Sequence, residues 1–250
     1  MKRKISIISV LVLFLSLITP LSAVSAEETN STLTKESIKS SELGNFNYLL
    51  YKPENSSGNM PLIVYLHGGS GKGNDLDILT SNDGFPKYVN DGTISNIPAY
   101  VVIPQLPSNK NGWADVKVSL KELINYLSKT YNIDSNKISL TGHSMGGTGT
   151  WNIALSYPDL FSCIAPMSGS IDTTESNINA LSNMPVWAFV GADDTIVDPT
   201  SSIEFIETLQ EKNSNAKITI FDGATHFDVP ELAYLDSTIN IVNWLASNSK

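Results

Sequence analysis

Short, mostly apolar runs bounded by glycine or proline are the feature that most constrains how this chain can fold. They occur at 62–66, 100–103, 138–140, 186–190 and 218–221. Runs this short, with few polar residues among the apolar ones, are typical of strands that are buried on both faces, as in a parallel sheet. The weakly alternating stretch 45–51 is compatible with an additional antiparallel edge strand.

Stretches with helical periodicity lie between these runs. Over 115–131, apolar residues recur at spacings of three and four and form one stripe. Asp198-Pro199 is typical of a helix start, with Asp198 as N-cap and Pro199 at the first helical position. The spacing of apolar residues over 232–245 predicts one final helix. This alternation with short links predicts an α/β architecture, a mostly parallel twisted sheet with helices on both faces.

The first 26 residues have the three parts of a secretory signal peptide. Basic residues at 2–4 precede a largely apolar run at 5–18, and small residues at 23–26 predict cleavage after Ala26. The alternative, a membrane anchor, fits less well because the run is shorter than the about 20 residues that a spanning helix needs. We therefore expect a secreted protein without a stable membrane span after cleavage.

The residues after the predicted signal peptide fall into two parts. Residues 27–43 are rich in serine, threonine and glutamate and carry few apolar side chains, which is typical of a flexible leader. Residues 44–250 contain all the predicted strands and helices and no internal repeat. Their number suits one domain.

Composition argues against several classes of function. The chain has 16 basic and 25 acidic residues and a net charge of −9, so binding to nucleic acid is not expected. Its three histidines and one cysteine lack the spacing of metal ligands, and no phosphate loop or dinucleotide fingerprint is present. We expect neither a metal nor a cofactor. Cys163 cannot form an internal disulfide and is expected to be a small buried core residue rather than a nucleophile.

The segment Gly142-His143-Ser144-Met145-Gly146 matches the pattern G-x-S-x-G. A nucleophile at a tight strand-to-helix turn has strained backbone angles, and its neighbours must lack side chains to avoid clashes. Here a predicted strand precedes the pattern and a helix-compatible stretch, 148–157, follows it. This context favours Ser144 as a nucleophile over a glycine-rich turn without chemistry.

The segment 138–151 resembles the nucleophile region of bacterial serine hydrolases of the α/β-hydrolase superfamily. It is similar to the predicted-peptidase, feruloyl-esterase and polyhydroxybutyrate-depolymerase-like groups, as are the segments 102–105 and 157–161. The likeness runs over about 48–244, nearly all of the chain after the predicted signal peptide. It implies that 44–250 form a catalytic domain with the α/β-hydrolase fold. The substrate is not implied, because these groups share a scaffold and differ in specificity.

A serine nucleophile needs a general base, and histidine is the usual one. His226 follows the last predicted strand, at the sheet edge where the sites of open α/β folds gather. It also completes the order of nucleophile, acid and base along the chain that this fold shows. His143 adjoins Ser144 and is expected to point away from it, whereas His67 is expected to support a glycine-rich loop.

Several carboxylates are candidates for the acid that orients the base. In the resembling families the segment reads G-x-x-D-x-x-V, and counting from Gly191 gives Asp194. Asp193, Asp198 and Asp172 remain alternatives, although Asp198 already has a role as a helix cap. In those families a proline often follows the valine, and here Asp198 takes that place.

Two backbone N–H groups normally bind the oxyanion that acyl transfer creates. One is expected from Met145, the residue after the nucleophile. The other is expected from the loop that follows the 62–66 strand, with Gly69 as the first choice and Gly68 and Ser70 as its neighbours. Trp113 resembles a tryptophan of the family and is expected either to line the substrate cleft or to pack in the core.

These residues together predict an enzyme that cleaves carboxylic esters through an acyl-enzyme intermediate. The segment 170–184 is too short for a large lid domain, so we expect an open cleft that admits small-molecule or polysaccharide-linked esters. A serine peptidase of the same fold is one alternative. A binding protein on a hydrolase scaffold is another, although it predicts damage to the candidate catalytic residues, and all of them are present.

Overall fold

The computed structural model describes residues 33–54, 58–81 and 84–250. These residues belong to one compact unit. The predicted signal peptide and the first part of the predicted leader lie outside the described residues. In the part of the chain that is described, no helix has the length and apolar character needed to cross a membrane.

One eight-stranded sheet forms the centre of the molecule. Its strands are β1 (Leu33–Ser40), β2 (Gly44–Tyr51), β3 (Met60–Leu66), β4 (Tyr100–Pro104), β5 (Ile133–His143), β6 (Cys163–Met167), β7 (Val186–Gly191) and β8 (Ala216–Phe221). They lie in the order β1-β2-β4-β3-β5-β6-β7-β8. β1 pairs antiparallel with β2, and β2 pairs antiparallel with β4. All the other pairs are parallel.

Helices follow most of the strands. They are α1 (Ile78–Ser81), α2 (Phe85–Asn90), α3 (Lys117–Thr130), α4 (Met145–Ser156), α5 (Glu175–Ala180), α6 (Thr200–Gln210), α7 (Val229–Leu235) and α8 (Ile241–Ser247). Short 3-10 turns occur at Gly69–Gly71 and at Trp113–Val116.

Two apolar clusters lie on opposite faces of the sheet. Alternate side chains of β3 enter different clusters, Val64 with α3 and α4 on one face and Ile63 with α2 and α8 on the other. Because successive side chains of a strand point to opposite faces, this division places helices on both sides of the sheet. The predicted architecture is therefore confirmed. Cys163 is fully buried in one of the clusters, as expected of a core residue.

The N-terminal boundary of the folded domain differs from the prediction. Residues 33–40 form β1, so the flexible leader predicted over 27–43 is wrong from Leu33 onward, and the domain begins before residue 44. β1 is an edge strand in which only Leu33 and Ser40 are buried, so its sequence carries little apolar signal. β1 is held in place by backbone pairing with β2 along the whole length of both strands. β2 is consequently not an edge strand.

The predicted final helix is in fact two helices, α7 and α8. Between them Asp236 accepts hydrogen bonds from the N–H and hydroxyl groups of Thr238, and Asn240 has a left-handed backbone with φ 49°. Short polar side chains of this kind stabilise turns by bonding to nearby backbone, which outweighs the helical spacing of the apolar residues.

The segment between β6 and β7 is short. Between β6 and β7 the chain forms only α5, a helix of six residues that begins after Thr174, whose side chain accepts a hydrogen bond from the Asn177 N–H. The described residues contain no large lid domain, as predicted.

Candidate functional site

Ser144 lies at the turn between β5 and α4, with φ 60° and ψ −121°. A non-glycine residue rarely adopts a positive φ, and such a conformation costs about 1–3 kcal/mol. Two backbone hydrogen bonds hold it in place. The Ser144 N–H donates to the Met167 carbonyl at 2.9 Å, and the Ser144 carbonyl accepts from the Thr148 N–H at 3.0 Å.

The glycines around Ser144 are required by close backbone packing. A Cβ atom at Gly142 would lie 2.6 Å from the carbonyl oxygens of Leu66 and Gly146, and one at Gly146 would overlap the Leu66 carbonyl. Contacts this short do not occur for real side chains. The glycines thus allow the nucleophile turn to approach the end of β3.

Asp194 and His226 meet at the same edge of the sheet. Asp194 follows β7 and His226 follows β8, and His226 Nδ1 lies 2.7 Å from Asp194 Oδ2. Both side chains are buried, with only 2% of His226 exposed. Asp194 Oδ1 accepts hydrogen bonds from the N–H groups of Ile196 and Val197, both at 2.9 Å.

These contacts determine the charge of Asp194 and the tautomer of His226. Burial acts to raise the pKa of Asp194, but the bonds from Val197, His226 and Ile196 outweigh it, so this pKa lies below its ordinary value. The ionised carboxylate can only accept, and therefore Nδ1 of His226 carries the proton. In the neutral imidazole this places the lone pair on Nε2, which is the tautomer that a general base needs.

The other candidate carboxylates do not contact His226. Asp193 and Asp172 are exposed, and Asp198 Oδ1 accepts from the Thr200 N–H at the start of α6. The predicted helix start is wrong by one residue, because Pro199 and not Asp198 occupies the N-cap position and α6 begins at Thr200.

Ser144 and His226 both line one cleft of about 640 Å³. In the described residues no hydrogen bond joins Ser144 Oγ to His226. Catalytic hydrogen bonds are often long without substrate and tighten only in the complex. The loop after β3 also lines the cleft and lies beside Ser144, because a Cβ added at Gly68 would be 3.4 Å from Ser144 Cβ.

The two candidate oxyanion donors belong to different elements, the start of α4 and the loop after β3. Met145 is the first residue of α4, so its N–H belongs to the helix terminus, where no carbonyl of an earlier turn is available. Gly69 begins the 3-10 turn and lines the cleft. Neither N–H donates a hydrogen bond to another described residue.

His67 holds the loop that carries Gly69. The Leu106 N–H donates to His67 Nε2 at 3.0 Å, so the ring proton lies on Nδ1, which donates to the Gly68 carbonyl at 2.6 Å. The sequence suggested this supporting role for His67. It did not reveal Gln105, whose buried side chain donates to the carbonyls of Gly71 and Asp75 and fixes the far end of the same loop. Gln105 lies in the segment 102–105 that shares the family likeness.

Trp113 does not line the cleft, and its assignment to the substrate site is wrong. Its side chain is 1% exposed and packs in the core. Its Nε1–H donates to the His67 carbonyl at 3.0 Å, and a Cβ at Gly149 would lie 2.6 Å from its ring. The ring of Trp113 fills the space between the loop after β3 and α4. Trp113 therefore supports the site through packing and does not contact the cleft.

The mouth of the cleft is apolar. Ile196 and Phe227, next to the acid and the base, are 62% and 73% exposed and line the cleft. Ile78 and Pro86 also line the cleft. The sequence pattern alone does not single out these residues. Two large exposed apolar side chains beside buried polar groups would have indicated a substrate-binding surface. Their exposure, however, is known only from the fold.

The charge state of His67 predicts how stability depends on pH. Burial lowers the pKa of His67 to about 4 from an ordinary 6.5, so the unfolded chain binds a proton at this residue between these values. Stability must then fall as the pH drops through this range. From pH 7 to pH 5 the loss from His67 is about 2 kcal/mol.

Urea unfolding at pH 7 and pH 5 checks this prediction. The His67→Gln variant does not titrate at this position, so its loss over the same interval should be smaller by about 2 kcal/mol, whatever its absolute stability. Equal losses in the two proteins would contradict the buried neutral state of His67.

Comparisons with known proteins relate this chain to esterases. Residues 41–231 match the family Esterase, described as "Putative esterase". Cutinase 1 of Thermobifida cellulosilytica is 33% identical over 116 residues, which cover 45% of this chain and 42% of that protein. Feruloyl esterase B of Thermothelomyces thermophilus is 27% identical over 138 residues, which cover 50% of this chain and 44% of that protein. The matches thus span less than half the length of these relatives.

A solved structure shows the fold independently. A thermostable esterase superposes with a TM-score of 0.75 at 24% identity, over 88% of this chain and 64% of that chain. The α/β-hydrolase fold implied by the sequence is thereby confirmed. Because the family match covers more than half of the chain, this protein belongs to the Esterase family.

Proposed function

We propose that this chain is a serine carboxylesterase that cleaves esters through an acyl-enzyme, with Ser144 as nucleophile, His226 as base and Asp194 as orienting acid. The observation that carries the proposal is the buried Asp194–His226 pair, in which His226 lines the same cleft as Ser144. The family match and the esterase relatives support the reaction type.

The first half of the reaction forms the acyl-enzyme. His226 Nε2 takes the proton of Ser144 Oγ while this oxygen attacks the ester carbonyl carbon. The carbonyl oxygen becomes an oxyanion. When the tetrahedral intermediate collapses, the bond to the alcohol oxygen breaks, and His226 gives its proton to the leaving alcohol. Asp194 stabilises the imidazolium that exists between these steps.

The second half repeats the sequence with water. His226 takes a proton from water, whose oxygen attacks the acyl carbon, and the bond to Ser144 Oγ breaks as the serine recovers its proton. In both halves the oxyanion would accept hydrogen bonds from the N–H groups of Met145 and Gly69, which have no partner among the described residues. Such a donor contributes about 3–4 kcal/mol to transition-state stabilisation.

The lining of the cleft favours ester substrates that have an apolar group near the scissile bond. Ile196 and Phe227 offer apolar surface at its mouth, and the absence of a large lid in the described residues leaves room for a bulky alcohol. Cutinase and feruloyl esterase are the names of two relatives. Small-molecule or polysaccharide-linked esters are therefore the proposed substrates, and we further propose secretion with cleavage after Ala26.

Hydrolysis of p-nitrophenyl acetate and butyrate by residues 27–250 tests the proposed reaction, with a peptide p-nitroanilide measured in parallel. Esters should be hydrolysed well above the uncatalysed rate and the anilide should not, because no additional element for peptide binding is present in the described residues. Preferential cleavage of the anilide would favour a peptidase. Folded protein inactive on all three would favour a binding protein.

A further inference from the structure

We propose that His143, the residue before the nucleophile, is a positioning residue that fixes the base-bearing loop 222–228 relative to the nucleophile turn. The inference rests on the proposed function, because it concerns the alignment of His226 with Ser144. His143 has no part in the proposed proton transfers.

The contact between the two histidines is specific. His143 Nε2 lies 2.9 Å from the backbone carbonyl oxygen of His226, and the two rings pack with their centroids 4.6 Å apart. A carbonyl oxygen can only accept, so Nε2 of His143 carries a proton and donates it. The bond therefore acts on the backbone of His226 and leaves the imidazole of His226 free for Asp194 and Ser144.

Other hydrogen bonds of loop 222–228 join it to the segment after β7 or lie within the loop itself. The Asp193 N–H donates to the Ala224 carbonyl, and the Asp194 carboxylate bonds to the His226 ring, so both join the loop to the segment after β7. Thr225 bonds to Asp228 within the loop. Within the described ranges, no other hydrogen bond connects the loop with the nucleophile turn.

His143 can hold this bond without adding charge beside the base. Burial lowers the pKa of His143 to about 4, and the nearby His226 acts in the same direction. At neutral pH the ring is therefore an uncharged donor. Because His143 ends β5 and directly precedes Ser144, one residue links the backbone that carries the nucleophile to the backbone that carries the base.

The chain offers a matched pair of substitutions for testing this role. In His143→Gln, the side-chain amide nitrogen can occupy the place of imidazole Nε2, whereas in His143→Asn the same amide is one methylene shorter and corresponds to Nδ1. Only the glutamine should preserve the bond to the His226 carbonyl. His143→Met fills a similar volume without any donor.

Steady-state kinetics with p-nitrophenyl butyrate, together with melting temperatures, decide between positioning and simple packing. Since a displacement of about 1 Å in a catalytic group costs about 100-fold, we expect kcat to fall about 10- to 100-fold in the Asn and Met variants. KM should stay within about two-fold of wild type, and the Gln variant should recover most of kcat.

Three results would overturn the inference: Asn and Met variants with wild-type kcat, a Gln variant as impaired as the Asn variant while folded, or a loss confined to KM. If the Met variant fails to fold, the comparison of Gln with Asn still decides. An inactive wild-type protein, or a Ser144→Ala variant as active as wild type, would instead refute the proposed function and not the role of His143 alone.

Discussion

The Ser144→Ala variant is expected to hydrolyse p-nitrophenyl butyrate with a kcat at least about 10⁴-fold below wild type. In serine hydrolases, removal of the nucleophile costs up to about 10⁶-fold, and the residual rate comes from the oxyanion donors and substrate binding. Alanine keeps the Cβ atom, so the strained backbone at φ 60° is neither relieved nor worsened. The melting temperature should therefore stay close to that of wild type.

A nearby serine provides the control for this experiment. Ser170 is exposed and lies after β6, and among the described residues its N–H and hydroxyl bond to the hydroxyl of Thr148 alone. Ser170→Ala should retain wild-type kcat. A Ser144→Ala protein that is folded and retains more than about a tenth of the wild-type rate would exclude Ser144 as the nucleophile.

The Asp194→Asn variant should lose about 10⁴-fold in kcat, by analogy with the same change in other serine hydrolases. The reason lies in the hydrogen bonds around this side chain. The oxygen of asparagine can still accept from the N–H groups of Ile196 and Val197, which turns its NH₂ group toward His226 Nδ1. Nδ1 must then accept, so the proton moves to Nε2, and the base can no longer accept the proton of Ser144 Oγ.

Asp193→Asn is the matched control, because this exposed carboxylate is adjacent in sequence and does not contact His226. It should leave kcat unchanged. If Asp194→Asn retained wild-type activity and Asp193→Asn or Asp198→Asn lost it, the acid would have been assigned to the wrong carboxylate.

The strands of the sheet interior could be predicted because burial on both faces makes their sequences almost wholly apolar. β3, β4 and β7 are examples. β1 could not, because an edge strand with exposed side chains is ordered mainly by backbone pairing, which leaves little trace in the sequence. The break between α7 and α8 was missed for a related reason, since local bonds of Asp236 outweigh helical periodicity there.

The candidate site was predictable where its chemistry is encoded locally. The glycines beside Ser144 reflect steric limits of a single turn, and the position of His226 follows from the last strand of a parallel sheet. The surroundings depend on contacts between distant segments. Trp113 and its contact with His67, 46 residues apart, and the contact between His143 and His226, 83 residues apart, required the fold.

Labelling with a fluorophosphonate, followed by peptide mass spectrometry, tests the central claim most directly, because the reagent phosphonylates only a serine that a neighbouring base activates. We expect one modified residue per molecule, Ser144, with no labelling in Ser144→Ala and strongly slowed labelling in His226→Gln. Folded protein that remains unlabelled, or that is labelled at another serine, would contradict it.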